Sequence, residues 1–173
     1  PSLIDPPYLV SVIDDATINH LPEILEVIQY FCKEIPHTIA LLGKKHFKEP
    51  SSWGDNVFRI EECPDRALAG LFQNATAFIY PAIHDGSALR PMEAMQAGTC
   101  VVTPMTPAIE ERCGESPFYY HSENISSINA VLHRILNLSP EERKERIRLG
   151  RVRVIEYTWE QTTWKLITAL KRI

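Results

Sequence analysis

The chain has 173 residues, of which 45% are hydrophobic and 23% charged, as expected of one globular domain. Its net charge of −4 argues against a nucleic-acid partner, which would need a basic face. No apolar run approaches the roughly 18 residues that span a bilayer. The four cysteines are Cys32, Cys63, Cys100 and Cys113. Their spacings are not those of metal ligands, so we expect no metal site. We expect reduced thiols and a cytoplasmic chain.

Short apolar runs alternate along the chain with segments of helical periodicity. The residues before position 8 are interpreted as the remnant of an interdomain linker (1–7), so that one domain comprises 8–173. Strands are predicted at 8–13, 37–43, 56–60, 76–80, 99–103 and, as an edge strand, 116–120. Helices are predicted at 21–35, 64–75, 91–97, 123–137, 140–155 and 158–172. A capping box at the helix that starts at 140 is predicted from Ser139, Pro140 and Glu142.

Strands that are apolar throughout predict a parallel sheet covered on both faces. Right-handed crossovers then give a doubly wound, Rossmann-like α/β domain, here with extra C-terminal helices. Ligands of such folds bind beyond the carboxyl ends of the strands. The loops 14–20, 61–64 and 81–90 are therefore the candidate ligand loops.

The loop 81–90 and the helix after it have the features of an anion site. Amides at a helix start lack intrahelical acceptors and together bear about half a positive charge. Gly86 would allow close backbone approach or a positive φ, and Arg90 would add a forked donor for phosphate oxygens. We expect a phosphate to be bound by the amides near Ser87, Ala88 and Leu89.

Two acids flank this helix start. With Pro91 as the first helical residue, Glu93 stands at the third position, where its carboxylate could accept hydrogen bonds from vicinal ribose hydroxyls. The alternative is structural, because a glutamate at that position often closes back on the N-cap. Asp85 in an ordinary Asp-Gly turn would complete that alternative.

The stretch from Tyr80 to Val102 reads YPAIHDGSALRPMEAMQAGTCVV. It resembles the signature P-S-x-x-E-G-F-G-L-P-x-x-E-A-M-x-x-G-x-P-V-V of the family 4 retaining glycosyltransferases, which have the GT-B fold. Asp85 and Glu93 keep the spacing of the two acids in that signature. The segments ALAGLFQNATAFIYPA, IEERCGESPFYYHSEN and YTWEQ are also similar to the family, so the resemblance covers almost the whole chain.

The resemblance implies that the chain is one half of a GT-B architecture. It would be the donor-binding domain of a hexosyltransferase that moves a sugar from a nucleoside-diphosphate sugar to an acceptor with retention, without a metal or cofactor. Asp85 and Glu93 would be the catalytic residues: Glu93 would hold the donor ribose and Asp85 would lie near the donor sugar. Glu61 would lie near the base. The acceptor would bind a missing N-terminal domain, so we expect no turnover by this fragment alone.

The sequence departs from the family pattern after the first strand. The family has Gly-Arg and then Lys there, and both cations contact the diphosphate. This chain has Asp14 and Asp15, with His20 as the nearby candidate donor, although the two acids could instead cap the next helix. Arg90 could restore one positive charge. The alternative function is therefore a catalytically silent binding or assembly module, and a nucleotide-sugar epimerase is a third hypothesis.

The basic run at 142–154, ERKERIRLGRVRV, alternates cations with acids and apolar residues. We expect a solvated helix face. Peripheral association with an anionic membrane is the alternative, because many members of the family use lipid-linked or membrane acceptors. Trp159 and Trp164, on the last predicted helix, are expected to be docking residues.

Overall fold

The computed structural model describes residues 4–5, 7–14, 17, 22, 25, 37–43, 56–124 and 126–172. The strands are β1 (Tyr8–Ile13), β2 (Thr38–Gly43), β3 (Val57–Ile60), β4 (Ala77–Ile79), β5 (Val101–Pro104) and β6 (Phe118–Tyr120). The helices are α1 (Asp65–Asn74), α2 (Leu89–Ala97), α3 (Pro107–Cys113), α4 (Ser126–Leu136), α5 (Pro140–Ile155) and α6 (Trp159–Leu170).

The six strands form one parallel sheet in the order β3-β2-β1-β4-β5-β6. On one side β1 pairs along its whole length with β2, so that Tyr8 lies opposite Thr38. On the other side β1 pairs with β4, so that Leu9 lies opposite Ala77. The strand order thus reverses between β1 and β4, which is the topological switch point of a doubly wound sheet. The predicted fold class is confirmed.

Both faces of the sheet are covered, which explains why its strands are apolar throughout. Every residue of β1 is buried. Because successive side chains of a strand point to opposite faces, Tyr8 and Val10 enter one core cluster with Phe72 of α1. Leu9 enters a second cluster with Leu132 of α4. A sheet covered in this way presents its loops, and not its faces, to a ligand.

All six predicted strands are confirmed, with ends shifted by up to two residues. The predicted helix 21–35 lies outside the described residues except for Pro22 and Leu25, which are helical. The prediction missed α3. Its start signal was present, because Thr106 caps the helix by accepting from the Ile109 amide and Pro107 follows at the first position. Seven residues are too few to reveal a helical period.

The predicted capping box at Ser139 is confirmed on both of its hydrogen bonds. The Ser139 hydroxyl accepts from the Glu142 amide at 3.1 Å, and the Glu142 carboxylate accepts from the Ser139 amide at 3.2 Å. This pair satisfies two amides that the helix itself cannot. It therefore fixes the first residue of α5.

The basic run on α5 was predicted to be a solvated helix face, but two of its arginines bond to the rest of the domain. Arg143 donates to the carbonyl of Thr76 at 2.9 Å and to that of Ile135, in the last turn of α4, at 3.0 Å. Arg153 donates to the carbonyl of Arg112, at the end of α3, at 3.2 Å. Carbonyls at helix ends lack intrahelical donors. These arginines supply such donors, whereas the Glu145–Arg148 pair is exposed.

The last helix is exposed along its whole described length. Trp159 is 87% and Trp164 64% exposed, so the docking predicted for them is not made against the described part of this domain. None of the helices within the described ranges combines the length and the apolar character needed to cross a bilayer.

Two helical glycines differ in their surroundings and allow a test of how α5 packs on α2. A Cβ at Gly150 would lie 2.7 Å from Ser116 Oγ and 3.2 Å from Met95 Cβ, whereas a Cβ at Gly70 would meet nothing within 4 Å. Gly70→Ala should raise the free energy of unfolding by up to about 1 kcal/mol through helix propensity. Gly150→Ala should lower the free energy of unfolding by about 2 kcal/mol relative to the wild type, because the added methyl overpacks the contact between α5 and α2. Urea denaturation measures both values. Equal values for the two variants would contradict close packing at Gly150.

Candidate functional site

The loop after β4 leads into α2 at the switch point. α2 begins at Leu89, two residues before the predicted start at Pro91, and its N-cap is Ala88. Pro91 is tolerated at the third position because an amide in the first turn has no intrahelical acceptor. Glu93 is therefore the fifth helical residue, and its predicted third position is wrong. The capping alternative for Glu93 is also wrong, since no side chain caps this helix.

The positive φ expected at Gly86 occurs instead at Ala88. Ala88 is fully buried with φ 48° and ψ 30°, in the left-handed region that an L-residue adopts at a cost of about 1 kcal/mol. Gly86 has no positive φ, and a Cβ there would meet nothing within 4 Å. Neither its backbone conformation nor its surroundings therefore require a glycine at this position, and the close approach of a ligand to Gly86 stays a prediction.

The Asp85 carboxylate is bonded to its own loop and to the end of β4. Its Oδ1 accepts from the Ser87 amide at 2.8 Å and from the Ser87 hydroxyl at 2.7 Å. Its Oδ2 accepts from the hydroxyl of Tyr80 at 2.8 Å. Burial alone would raise the pKa of Asp85, but hydrogen bonds from Ser87, Tyr80 and the Ala88 amide outweigh it and hold that pKa below its ordinary value. Asp85 is therefore a carboxylate at neutral pH.

These bonds change the set of amides that a phosphate could reach. Of the three expected donors, the Ser87 amide is bonded to Asp85, and the Ala88 amide contributes a hydrogen bond to the same carboxylate. The amide of Leu89 belongs to the first turn of α2, and so does that of Arg90. First-turn amides have no acceptor within the helix, so these two retain the role predicted for the helix start.

Arg90 and Glu93 form an ion pair on the open side of α2. Arg90 Nη1 lies 2.8 Å from Glu93 Oε2, and the two side chains are 37% and 48% exposed. Burial would lower the pKa of Arg90, but the hydrogen bond to Glu93 and the charges of Glu93 and Asp14 raise it. The end of β1 thus brings a carboxylate close to Arg90.

Asp14 also organises the turn that follows β1. The Thr17 amide donates to Asp14 Oδ1 at 3.0 Å, and the Asp14 amide donates to Thr17 Oγ1 at 2.8 Å. The start of the helix that Asp14 and Asp15 were considered to cap lies outside the described residues, so that capping role stays a prediction. Asp15 and His20 lie outside the described residues.

Glu61 follows β3 and is exposed at the same edge of the sheet. β3 is three strand positions away from β4, which at the usual spacing of about 4.8 Å places it roughly 14 Å from the loop at the switch point. The structure therefore brings Asp85, Arg90 and Glu93 together and leaves Glu61 apart from them.

Tyr80 is the site residue that sequence reasoning missed. It is 1% exposed and was interpreted only as the end of a strand, yet its hydroxyl reaches Asp85. The signal was its position, because a polar aromatic residue at the carboxyl end of a buried strand must find a hydrogen-bond partner.

Within the described ranges, no group of three or more His, Cys, Asp or Glu residues could hold a metal ion.

The family model described as "Glycosyl transferases group 1" matches residues 42–153, which include the whole loop and α2. The chain belongs to this family. As a group 1 glycosyl transferase it is 28% identical over 109 residues, or 62% of its length, to the O-antigen chain mannosyltransferase B of Escherichia coli.

Solved structures share the Rossmann-like α/β fold of this group 1 glycosyl transferase. A trehalose-6-phosphate synthase matches 96% of the chain with a TM-score of 0.79 at 15% identity. A second solved structure, from E. coli and bound with UDP-2-fluoro glucose, has the same TM-score and identity. The chain spans 28% of the curated relative and 44% of the two solved chains.

The exposed Arg90–Glu93 pair should contribute little to folding. Glu93→Ala and Arg90→Ala should each change the free energy of unfolding by less than about 1 kcal/mol, because water screens exposed ion pairs and holding two long side chains costs entropy. Urea denaturation at neutral pH measures this. A loss of several kcal/mol would mean that the pair is structural and could not be varied to test ligand binding.

Proposed function

We propose that the chain is the donor-binding domain of a glycosyltransferase that moves a sugar from a nucleoside-diphosphate sugar to an acceptor with retention. The observation that supports this most is the position of Glu93, an exposed carboxylate one turn into α2, beside the first-turn amides at the switch point of the sheet. The E. coli structure with UDP-2-fluoro glucose supports the donor class.

In this proposal the amides of Leu89 and Arg90 face the diphosphate, where the positive end of α2 stabilises the charge of the leaving group. Arg90 leaves Glu93 and turns to the phosphate oxygens, for which its forked guanidinium is suited. Glu93 is then released to accept hydrogen bonds from the two ribose hydroxyls. The exchange costs little because the ion pair that it breaks is exposed.

Other residues complete the proposed donor site. Asp85, Gly86 and Ser87 form the loop beside the donor sugar, and Glu61, across the sheet edge, lies on the side of the base. The reaction needs neither metal nor cofactor in this proposal. Retention follows from attack on the face of the departing phosphate, which helps to take the proton of the acceptor.

We also propose that the acceptor binds to a separate, preceding domain, since the chain spans less than half of the solved proteins that it resembles. The three described cysteines are free, which supports a cytoplasmic setting. Peripheral membrane association through exposed cations of α5 is a further proposal. Pelleting with anionic but not zwitterionic vesicles would support it.

A catalytically silent binding or assembly module is the second candidate. It is favoured by Asp14, whose charge acts on Arg90 at the end of β1 where the family has cations. A carboxylate about 5 Å from a diphosphate repels it by a few kcal/mol at intermediate dielectric. Failure of the chain to bind any nucleoside diphosphate at millimolar concentration would favour this candidate.

Glu93→Ala should lower the affinity for UDP or GDP by at least tenfold in calorimetric titrations, because two hydrogen bonds to a charged acceptor are lost. Glu145→Ala is the matched control, since Glu145 forms an exposed ion pair of the same spacing with Arg148 on α5. Unchanged affinity in Glu93→Ala would remove Glu93 from the site.

Arg90→Ala should weaken UDP or GDP binding and leave uridine or guanosine binding unchanged, because the guanidinium is proposed to contact the diphosphate alone. Calorimetry with nucleoside and nucleotide in parallel makes the comparison, and Arg148→Ala is the control. If Arg90→Ala binds the nucleotide as tightly as the wild type, Arg90 does not replace the missing cations.

A further inference from the structure

A buried tyrosine hydroxyl ties the core of the domain to the loop before α2. Tyr80 lies in the apolar cluster that includes Phe78 and Met92. Its hydroxyl needs a partner because an unbonded polar group in the core is costly. The partner is Oδ2 of Asp85, 2.8 Å away. One hydrogen bond thus joins a fully packed ring to a partly exposed loop.

Asp85 is bonded on both of its oxygens. Besides Tyr80, it accepts from the amide and the hydroxyl of Ser87 and from the amide of Ala88. A carboxylate has about four lone-pair sites, so these donors leave little capacity to accept a bond from a substrate hydroxyl. The carboxylate therefore acts on its own loop.

This geometry depends on the length of the side chain. Aspartate reaches the amide two residues ahead and closes an Asx turn, whereas glutamate is one methylene longer and does not favour that turn. The turn leads directly into Ala88, whose left-handed backbone conformation is maintained by its surroundings. The first-turn amides of Leu89 and Arg90 follow at once, so the orientation of these amides depends on the turn.

We infer that Tyr80 is a positioning residue: its hydroxyl holds the Asp85 carboxylate against the loop and thereby orients the first amides of α2 and the Arg90–Glu93 pair. The effect on nucleotide binding rests on the proposed function, whereas the contact between Tyr80 and Asp85 is independent of it. Asp85 then organises the loop and does not touch the donor sugar.

The charged and titratable groups around this pair come from three elements. The charges of Asp14 after β1 and Arg90 on α2 act on Tyr80, and the charge of Asp85 acts on Cys113 of α3. The pKa of Asp85 is lowered, and its charge holds the loop before α2 in place. This loop should therefore lose its fixed conformation as the pH falls through that pKa. The hydrogen bond from the Tyr80 hydroxyl is one cause of the low Asp85 pKa. Without this hydroxyl the pKa of Asp85 should rise, and the loop should lose its fixed conformation at a higher pH.

Tyr80→Phe tests the inference, with Tyr119→Phe as the matched control. Tyr119 is partly buried, whereas Tyr80 is fully buried; the Tyr119 hydroxyl likewise has a hydrogen-bond partner, the Gly114 carbonyl at 2.6 Å, on the far edge of the sheet. Carbon-13 NMR would follow the titration of the Asp85 carboxyl, assigned by its loss in Asp85→Asn. Calorimetry at neutral and acidic pH would give the UDP and GDP affinities. Tyr80→Phe should raise the Asp85 pKa and lower nucleotide affinity roughly three- to tenfold at neutral pH, and Tyr119→Phe should do neither.

Ser87→Ala provides a second variant, because it removes a bond to Oδ1 from the exposed side of the loop and should also raise the Asp85 pKa. An unchanged Asp85 pKa in Tyr80→Phe would overturn the inference, and so would a raised pKa with unchanged nucleotide affinity. If the wild-type chain binds neither UDP nor GDP, the proposed function fails. The carboxyl titration alone then decides whether Tyr80 positions Asp85.

Discussion

The pairing of β1 with both β2 and β4 is the constraint on which the rest of the domain depends. It buries β1 on both faces, separates two apolar clusters and sends the chain outward in opposite directions. Because all strands run parallel, the loops after β1 and β4 emerge side by side. Asp14 and the 81–90 loop meet for this reason, although about seventy residues separate them in the chain.

Much of the architecture was predictable because the strands are apolar throughout and the helices have a clear period. The six strands and the capping box at Ser139 follow from local patterns, whereas the strand order, and with it the switch point, came from the structure. Seven residues of α3 are too few to show a period. The exact start of α2 was not predictable either, since Pro91 is compatible with the first and the third helical positions.

The candidate site was predictable in its members but not in their bonds. Spacing alone brought Asp85, Arg90 and Glu93 to one loop and one helix turn. It could not reveal that Asp85 turns back to Ser87 and Tyr80, because that contact depends on the path of the loop, nor that Arg90 and Glu93 pair, because the predicted helix began only at Pro91. The sequence offered the left-handed conformation, or a close backbone approach, for Gly86 and not for Ala88, since an alanine rarely adopts that conformation.

The arginine contacts of α5 have a consequence for where the cooperative unit ends. Arg143 and Arg153 supply donors to carbonyls of the β-sheet layer and of α3, and Tyr157 bonds the Glu111 carbonyl at 3.1 Å. A chain cut before Ser139 would leave those carbonyls without their partners. We therefore expect the cooperative unit to extend to about residue 157, whereas α6 is exposed along its described length and makes none of these contacts.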